Sequence, residues 1–318
     1  MRTKIVYTVV GGENDIYVPQ AMVAIYSARK YNPDADIILV ADQDTSLIIE
    51  KLLPNIKTYL TDLVVVNVPT EFSKMLRSRY LKTILREVIT GDFLYIDTDT
   101  VVTDSLKDID NIKADVAATL DRHIQLNEHG YLNKVKADLK TVGLTEVDVH
   151  NKYFNGGVMF VKDTPIAHRL YKKWHDNWEE ARKVSTGIDQ PSLALANMQC
   201  GYPIDELDGI WNCQLSDNFI NYLHEAKILH YFASVNRSPY KLYNDAVFDD
   251  IWTNGVVPSY LIKELETPKS FFVEKHILAY GIDTKFLRSN VHSIYVYHKW
   301  LFKIIEYLCK IIVTKRLW

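Results

Sequence analysis

Cysteine is scarce in this chain of 318 residues. Only Cys200, Cys213 and Cys309 occur, with no CxxC pair and one thiol left over from any pairing. That excludes a disulfide-framed scaffold and a cysteine zinc site, and it fits a reducing compartment. No stretch of 18 uncharged apolar residues appears, so a spanning helix is not expected. The first apolar run, Ile5 to Val10, stops at Gly11-Gly12-Glu13, too short and too soon charged for a secretory leader. A cytoplasmic protein is the expectation. A basic excess is missing too. The 37 Lys and Arg face 40 Asp and Glu, and a formal charge of −3 excludes a nucleic-acid partner held by phosphate neutralisation. Internal repeats and low-complexity linkers are absent as well.

What is present is ample material for a core: 47% of residues are apolar and 12% aromatic. Short β-rich runs alternate with helical spacing. Lys4–Val10, Asp36–Ala41, Leu63–Val68, Phe93–Ile96, Ala114–Leu120, Phe154–Val161 and Lys227–Phe232 read as strands. Val18–Tyr31, Phe72–Ile89, Pro165–Arg182 and Asp189–Met198 read as helices. Continuous apolar strands separated by helices predict an α/β fold with a mainly parallel central sheet covered on both faces. The polar stretch 121–151 has no clear periodicity and is expected to fold over a site. Composition shifts near residue 240, which divides the chain into a domain over 1–240 and a helical region over 241–318.

In such sheets ligands collect at the carboxyl ends of strands. Asp97 and Asp99 follow the apolar run Phe93–Ile96 and are separated by one residue, so in extended chain both carboxylates point to one side. Two such groups repel unless a hard cation such as Mg²⁺ or Mn²⁺ sits between them, and that cation would share its shell with phosphates. An Asx-turn or helix cap would use the same residues. His230, in an apolar strand, suits either a hydrogen-bonded core or a third ligand. Asn155-Gly156-Gly157 inside a strand-like run signals a bulge or the close approach of a ligand to the backbone. Asp189 before a helix could simply cap it.

Four segments in order, Gly91–Val102 (GDFLYIDTDTVV), Tyr153–Phe160 (YFNGGVMF), Gly187–Leu195 (GIDQPSLAL) and His230 on a late strand, resemble the family 8 retaining glycosyltransferases over roughly residues 4–240. The resemblance implies a nucleotide-sugar-binding α/β fold of the A type and a hexosyltransferase. It makes Asp97, Asp99 and His230 ligands of Mn²⁺ or Mg²⁺ on the diphosphate of a donor, with a UDP-sugar as the family expectation. It places Arg79 on donor sugar and phosphate, with Lys82 one turn on, and Asn155, Gly156 and Asp189 against the donor sugar. Gln190 falls beside the anomeric carbon. Thr8, Val9 and Tyr17 are placed at the base, Thr98 at the nucleotide, and Leu207–Gln214 towards the acceptor. Two departures stand out. The turn after strand one, Gly11–Asp15, is longer than the family's, and the run after His230 lacks the family's Lys, leaving Arg237 as its expected substitute. A sugar nucleotidyltransferase or a non-catalytic sugar-nucleotide-binding module would share the paired acids. The first would need a basic glycine-rich phosphate loop, and here acids follow Gly11-Gly12.

Residues 293–318 place Lys299, Lys303, Glu306 and Lys310 on one helical stripe, beside a broad apolar face that includes Trp300, Ile304 and Leu308. Five basic residues against one acid give this segment about +4 within a chain of net −3. It is expected to lie peripherally on a membrane, at the inner face of the cell membrane, which would suit a glycan or lipid-linked acceptor.

Overall fold

The computed structural model describes residues 1–144, 150–184, 187–216, 218–232, 245–269 and 290–315. Ten strands occur among them: β1 (Lys4–Val9), β2 (Ile37–Asp42), β3 (Asp62–Val66), β4 (Phe93–Ile96), β5 (Thr100–Val102), β6 (Val116–Leu120), β7 (Phe154–Val161), β8 (Ile204–Glu206), β9 (Cys213–Gln214) and β10 (Ile228–His230). Seven form one sheet in the order β3-β2-β1-β4-β7-β6-β8, and β5-β10-β9 form a small second sheet. The large sheet is parallel except for β7, which runs antiparallel to both β4 and β6. The expected mainly parallel α/β fold is the one observed.

Side chains alternate across each strand, so β1 sends Ile5, Tyr7 and Val9 to one core and Val6 to the other. β4 does the same, with Leu94 and Ile96 on one face and Phe93 and Tyr95 on the other. Both faces are therefore sealed, which is why these strands read as unbroken apolar runs.

The expected helix over Phe72–Ile89 is two pieces, Lys74–Thr83 and Leu85–Val88, broken at Ile84 (φ −97°, ψ 3°). Thr83 Oγ1 bonds back to the Tyr80 carbonyl at 3.1 Å and meets His175 Nδ1 at 2.9 Å, a local competition that bends helices. The first piece is capped by Ser73, the second ends three residues before Gly91, and both lie before β4. Within 121–151, short turns and a helix at Leu132–Thr141 gather Leu126, Val135, Leu139 and Leu144 around Tyr153 in a small core of their own.

Past residue 244, helices Asp245–Asn254 and Ser259–Glu264 add Phe248, Ile251 and Leu261 to the larger core. Trp252 Nε1 donates to the Asp15 carbonyl at 2.7 Å, which ties this region to the turn after β1. Helices Asn290–Tyr297 and Lys299–Lys315 meet through Tyr295 and Phe302, whose ring centroids lie 5.0 Å apart.

Candidate active site

Three segments far apart in sequence meet at the carboxyl end of β4. Asp97-Thr98-Asp99 is the link that carries the chain from β4 in the large sheet to β5 in the small one. β10 pairs antiparallel with β5, setting His230 opposite Thr100, and the Tyr231 N–H donates to the Asp99 carbonyl at 2.9 Å. β7 lies on the other side. Because it runs antiparallel, its first residues sit beside the last residues of β4, and the Asp97 N–H donates to the Gly157 carbonyl at 2.7 Å. The pairing of β7 with β6 jumps from Ala118–Met159 to Leu120–Phe154, so Asn155-Gly156-Gly157 is a bulge. Its glycine is required by close approach. A Cβ on Gly157 would come within 2.4 Å of His230 Cε1 and 2.8 Å of Asp97 Oδ2.

One ligand atom from each of Asp97, Asp99 and His230 lies within 4.8 Å of the others, and no second such group occurs among the described residues. His230 is 4% exposed, whereas Asp99 and Asp97 keep 18% and 26%, so the group opens only on the carboxylate side. Two carboxylates and an imidazole make a donor set that fits Mn²⁺ or Mg²⁺. His230 Nε2 lies 3.1 Å from Asp99 Oδ1. Burial pulls the His230 pKa down, but the Asp99 charge and hydrogen bond outweigh it and leave it raised. The Asp99 carboxyl, pushed up by burial, is brought below its ordinary value by the same contact.

Behind His230, Asn212 closes the site. Its Oδ1 lies 2.9 Å from His230 Nδ1, while its Nδ2 donates to Asn155 Oδ1 at 3.0 Å and Thr119 Oγ1 at 3.1 Å. Asn155 also accepts from the Gly157 N–H at 2.9 Å and donates to Asp121 Oδ1 at 2.9 Å. Asp121 in turn meets His129 Nε2 at 2.9 Å. Burial pushes the Asp121 carboxyl up, yet the hydrogen bond and charge of His129 hold it below the usual range.

On the other flank stands a cationic pair. Arg79 Nε is 2.9 Å and Lys82 Nζ 3.5 Å from the Asp189 carboxylate, and Lys82 Nζ lies 3.3 Å from Asp97 Oδ1. Lys82 is almost fully buried and stands over the Tyr95 ring. Burial pushes the Asp189 carboxyl up, but Arg79 and Lys82 overcome it and keep the group ionised. The Tyr95 hydroxyl donates to Asp97, and burial together with that charge raises its pKa well above the ordinary phenol value. Asp189 does not cap its helix; Ile188 holds the cap position and no side chain bonds there. Instead Trp174 Nε1 donates to the Asp189 carbonyl and Trp178 Nε1 to the Gly187 carbonyl, at 2.9 and 2.8 Å. Two fully buried indoles thus anchor the turn that aims Asp189 inward.

A cleft of about 420 Å³ opens from this group, lined by Thr8, Val9, Tyr17, Arg79, Asp97, Thr98 and Asp99. Thr8, Val9 and Tyr17, expected at the base, therefore share one cavity with Arg79 and with Asp97 and Asp99, whereas His230 and Lys82 are not part of its lining. Lys74, also on its wall, pairs with Asp15 at 2.9 Å; the sequence reading passed over it. Gly156 sits against Lys82 and Leu193, and Gln190 hydrogen-bonds Tyr153. Arg77, one residue from Ser78 on the cleft wall, is taken up by Asp42 and Asp44. Arg237 lies outside the described residues. Trp211 is core, with Lys227 over its ring, and its neighbour Asn212 contacts His230. Asp121 was missed, and Asn212 was singled out only within Leu207–Gln214, without its contact to His230. Only their sequence positions beside Trp211 and at the end of β6 hinted at them.

Comparison with known proteins agrees with this architecture. The bifunctional glycosyltransferase WbbM, solved in its apo form, superposes on 82% of this chain and 50% of its own, with a TM-score of 0.55 and 14% identity. The chain thus spans half the length of WbbM. The galactosyltransferase LgtC, solved with donor and acceptor sugar analogues, gives a TM-score of 0.52 at 15% identity, covering 82% of this chain and 100% of that one. The glycosyltransferase GlyE from Streptococcus pneumoniae TIGR4 gives 0.50 at 17% identity, over 84% of this chain and 64% of its own. At such identities these likenesses speak for the fold alone. No curated protein sequence matches the chain. The family model described as Glycosyl transferase family 8 matches residues 8–236, most of the chain and all three segments that meet at the end of β4. The chain therefore belongs to glycosyl transferase family 8 and is a glycosyltransferase of the hexosyltransferase type.

Proposed function

We propose that this enzyme transfers a sugar, with retention, from a UDP-sugar to a hydroxyl of a glycan or lipid-linked acceptor, using Mn²⁺ or Mg²⁺ held by Asp97, Asp99 and His230. One observation carries the reading: those three side chains come together, and two of them, Asp97 and Asp99, line the same cleft as Thr8, Val9, Tyr17, Thr98 and Arg79. When bound, such a cation neutralises charge growing on a departing diphosphate. The chain's own residues do the rest. Arg79 offers the donor phosphates a guanidinium fork, and Lys82 and Arg237 add positive charge towards the same group. Asp189, kept ionised by Arg79 and Lys82 and held in place by the two indoles bonded to its turn, accepts hydrogen bonds from donor-sugar hydroxyls. Asn155, with one amide N–H beyond its bond to Asp121, and the backbone at Gly156 offer further contacts to that sugar.

The transition state resembles an oxocarbenium ion. The group placed beside the anomeric carbon, Gln190, carries an amide, which is a poor nucleophile. Attack by the acceptor hydroxyl on the face the diphosphate leaves is therefore favoured. The C–O bond to the acceptor forms as the bond to phosphate breaks, and the hydroxyl proton passes to the leaving phosphate oxygen. The division proposed is a nucleotide-sugar-binding unit over 1–240 and a C-terminal region over 241–318, whose helices Asp245–Asn254 and Ser259–Glu264 pack into the same core.

For that region we propose a peripheral membrane role, with the inner face of the cell membrane as its place. Among the described helices none is long and apolar enough to cross a bilayer. In Lys299–Lys315, Leu301, Phe302 and Ile305 are half-buried, while Trp300, Ile304, Tyr307 and Leu308 form an exposed stripe beside exposed Lys299 and Lys303. Aromatics flanked by lysines suit an anionic interface.

The function is tested with a panel of nucleotide sugars and Mn²⁺, reading nucleoside diphosphate release with and without chelator. Release from a UDP-sugar that chelator abolishes supports it. No release from any donor with either metal contradicts it.

A further inference from the structure

The ammonium of Lys82 stands beside one metal ligand and is shared among four neighbours. Its Nζ lies 3.3 and 3.4 Å from the two oxygens of Asp97, 3.5 Å from Asp189 Oδ2 and 5.1 Å from the centre of the Tyr95 ring. Gly156 also faces it, since a Cβ there would come 3.6 Å from Nζ. We infer that Lys82 is a built-in rival of the divalent cation: its charge on Asp97 holds metal affinity down until a diphosphate arrives, so that metal and donor nucleotide bind as a pair. The inference rests on the glycosyl-transfer reading and concerns how the metal site of that reading is loaded.

Charge-assisted bonds from a cationic nitrogen to a carboxylate run about 2.7–2.9 Å. Arg79 Nε reaches Asp189 at that length, 2.9 Å. Lys82 comes that close to neither of its two carboxylates; both hold it and neither captures it. Bound to Asp189 alone, it would leave the metal group untouched. Shared as it is, its charge lies one contact away from any cation that Asp97 takes up. Like charges so placed repel, and with the Lys82 side chain only 6% exposed there is little water or salt to screen them. The effect works through charge and not through touch, which suits a side chain that stands behind Asp97 and outside the lining of the cleft.

The balance of charge gives the sign. Asp97, Asp99 and Asp189 bring three negative charges, and Arg79 and Lys82 bring two positive ones, with the imidazole of His230 left aside. A diphosphate arriving alone meets a net negative site, and a divalent cation arriving alone meets Lys82. Each ligand therefore supplies what the other lacks. The cation answers Asp97 and Asp99, while the diphosphate offsets Lys82. By linkage the nucleotide raises metal affinity by the same factor as the metal raises nucleotide affinity. A Lys82 that merely held the two carboxylates in place would have the opposite sign, because its removal would loosen Asp97 and weaken the metal.

Titration of Mn²⁺ by electron paramagnetic resonance on the full chain, without and with UDP, tests this in wild type, Lys82→Met and Lys82→Arg. Without UDP, Lys82→Met should bind Mn²⁺ about fivefold tighter or more, the lower end of ordinary coupling between sites, and UDP should then raise its affinity by a smaller factor than in wild type. Lys82→Arg, which keeps the charge, should stay near wild type. Lys82→Gln stands in for Lys82→Met if the methionine fails to fold among these polar groups. Unchanged or weaker Mn²⁺ binding in the neutral variant overturns the inference and leaves the metal reading in place. Equal tightening in Lys82→Arg overturns it too, by tracing the effect to shape and not charge. A wild type that binds no Mn²⁺, with or without UDP, overturns both.

Discussion

The side chain of Asn212 holds His230 by its Nδ1 atom at 2.9 Å, and the rest of its amide shows which way round that contact runs. Its Nδ2 donates to Asn155 and Thr119, so Oδ1 must be the atom facing the imidazole. Nδ1 is then the protonated nitrogen, and Nε2 is turned towards the carboxylates for a ligand. Asn212→Ala should lower Mn²⁺ affinity about 10- to 100-fold, in line with the loss of other partners that orient a ligand imidazole. Asn212→Asp, which still accepts from Nδ1, should retain most of it. Titration of free Mn²⁺ by electron paramagnetic resonance reads both. Equal affinity in wild type and Asn212→Ala would dismiss the residue as structural filler.

Gly157 makes a steric prediction. A methyl group there would strike His230 Cε1 and Asp97 Oδ2, and neither can retreat, since His230 is buried against Asn212 and Asp97 is held by Tyr95. Gly157→Ala should cost about 1–3 kcal/mol of stability, as overpacking does, and should abolish Mn²⁺ binding. Thermal melting with and without Mn²⁺ measures it; a variant still stabilised by the metal like wild type would refute the close approach.

Stability should fall on mild acidification through His123. Burial pulls its pKa from 6.5 down to about 4, and a charged imidazole would also lose its bond from the Gln214 N–H. The folded state thus binds its proton at lower pH than the unfolded state. The stabilisation from the neutral ring is complete above about 6.5 and is lost progressively as pH falls towards 4. Asp121, Asp189 and Asp99 have pKa values lowered below 3.8 and titrate beneath that window, whereas His175, also lowered by burial, contributes in the same sense. His123→Gln, which keeps an acceptor without titrating, should flatten the decline in melting temperature between pH 6.5 and 4. An unchanged slope would show that His123 is not its source.

The fold was largely legible because both faces of the sheet are covered, which makes strands such as Phe93–Ile96 and Phe154–Val161 unmistakable apolar runs. Short elements were not. β5, β8 and β9 have two or three residues each and carry no periodicity, yet the β5–β10 register is what delivers His230 to Asp99. The paired carboxylates and the glycine bulge could be read as candidates, since each demands an unusual local explanation. Asn212, Asp121 and Gln214 could not, because a hydrogen-bond network depends on which chains meet, not on spacing along one of them. The break at Ile84 was hidden for the same reason: its partner, His175, lies 92 residues beyond Thr83.

The terminal helix carries its own test. Deleting residues 293–318 should abolish flotation with vesicles containing anionic lipid, as each Lys or Arg near such a surface contributes about 1 kcal/mol. Flotation that survives the deletion, or that wild type never shows, would assign the exposed Trp300–Leu308 stripe to a protein partner.

The central claim is that Asp97, Asp99 and His230 clamp one divalent cation on a nucleotide diphosphate. Crystals soaked in Mn²⁺ and UDP test it most directly, through the anomalous signal of manganese. A single peak in contact with all three side chains and with diphosphate oxygens is the predicted result. Clear UDP density in the cleft with no peak there, and the carboxylates bonded only to local backbone, would contradict the account.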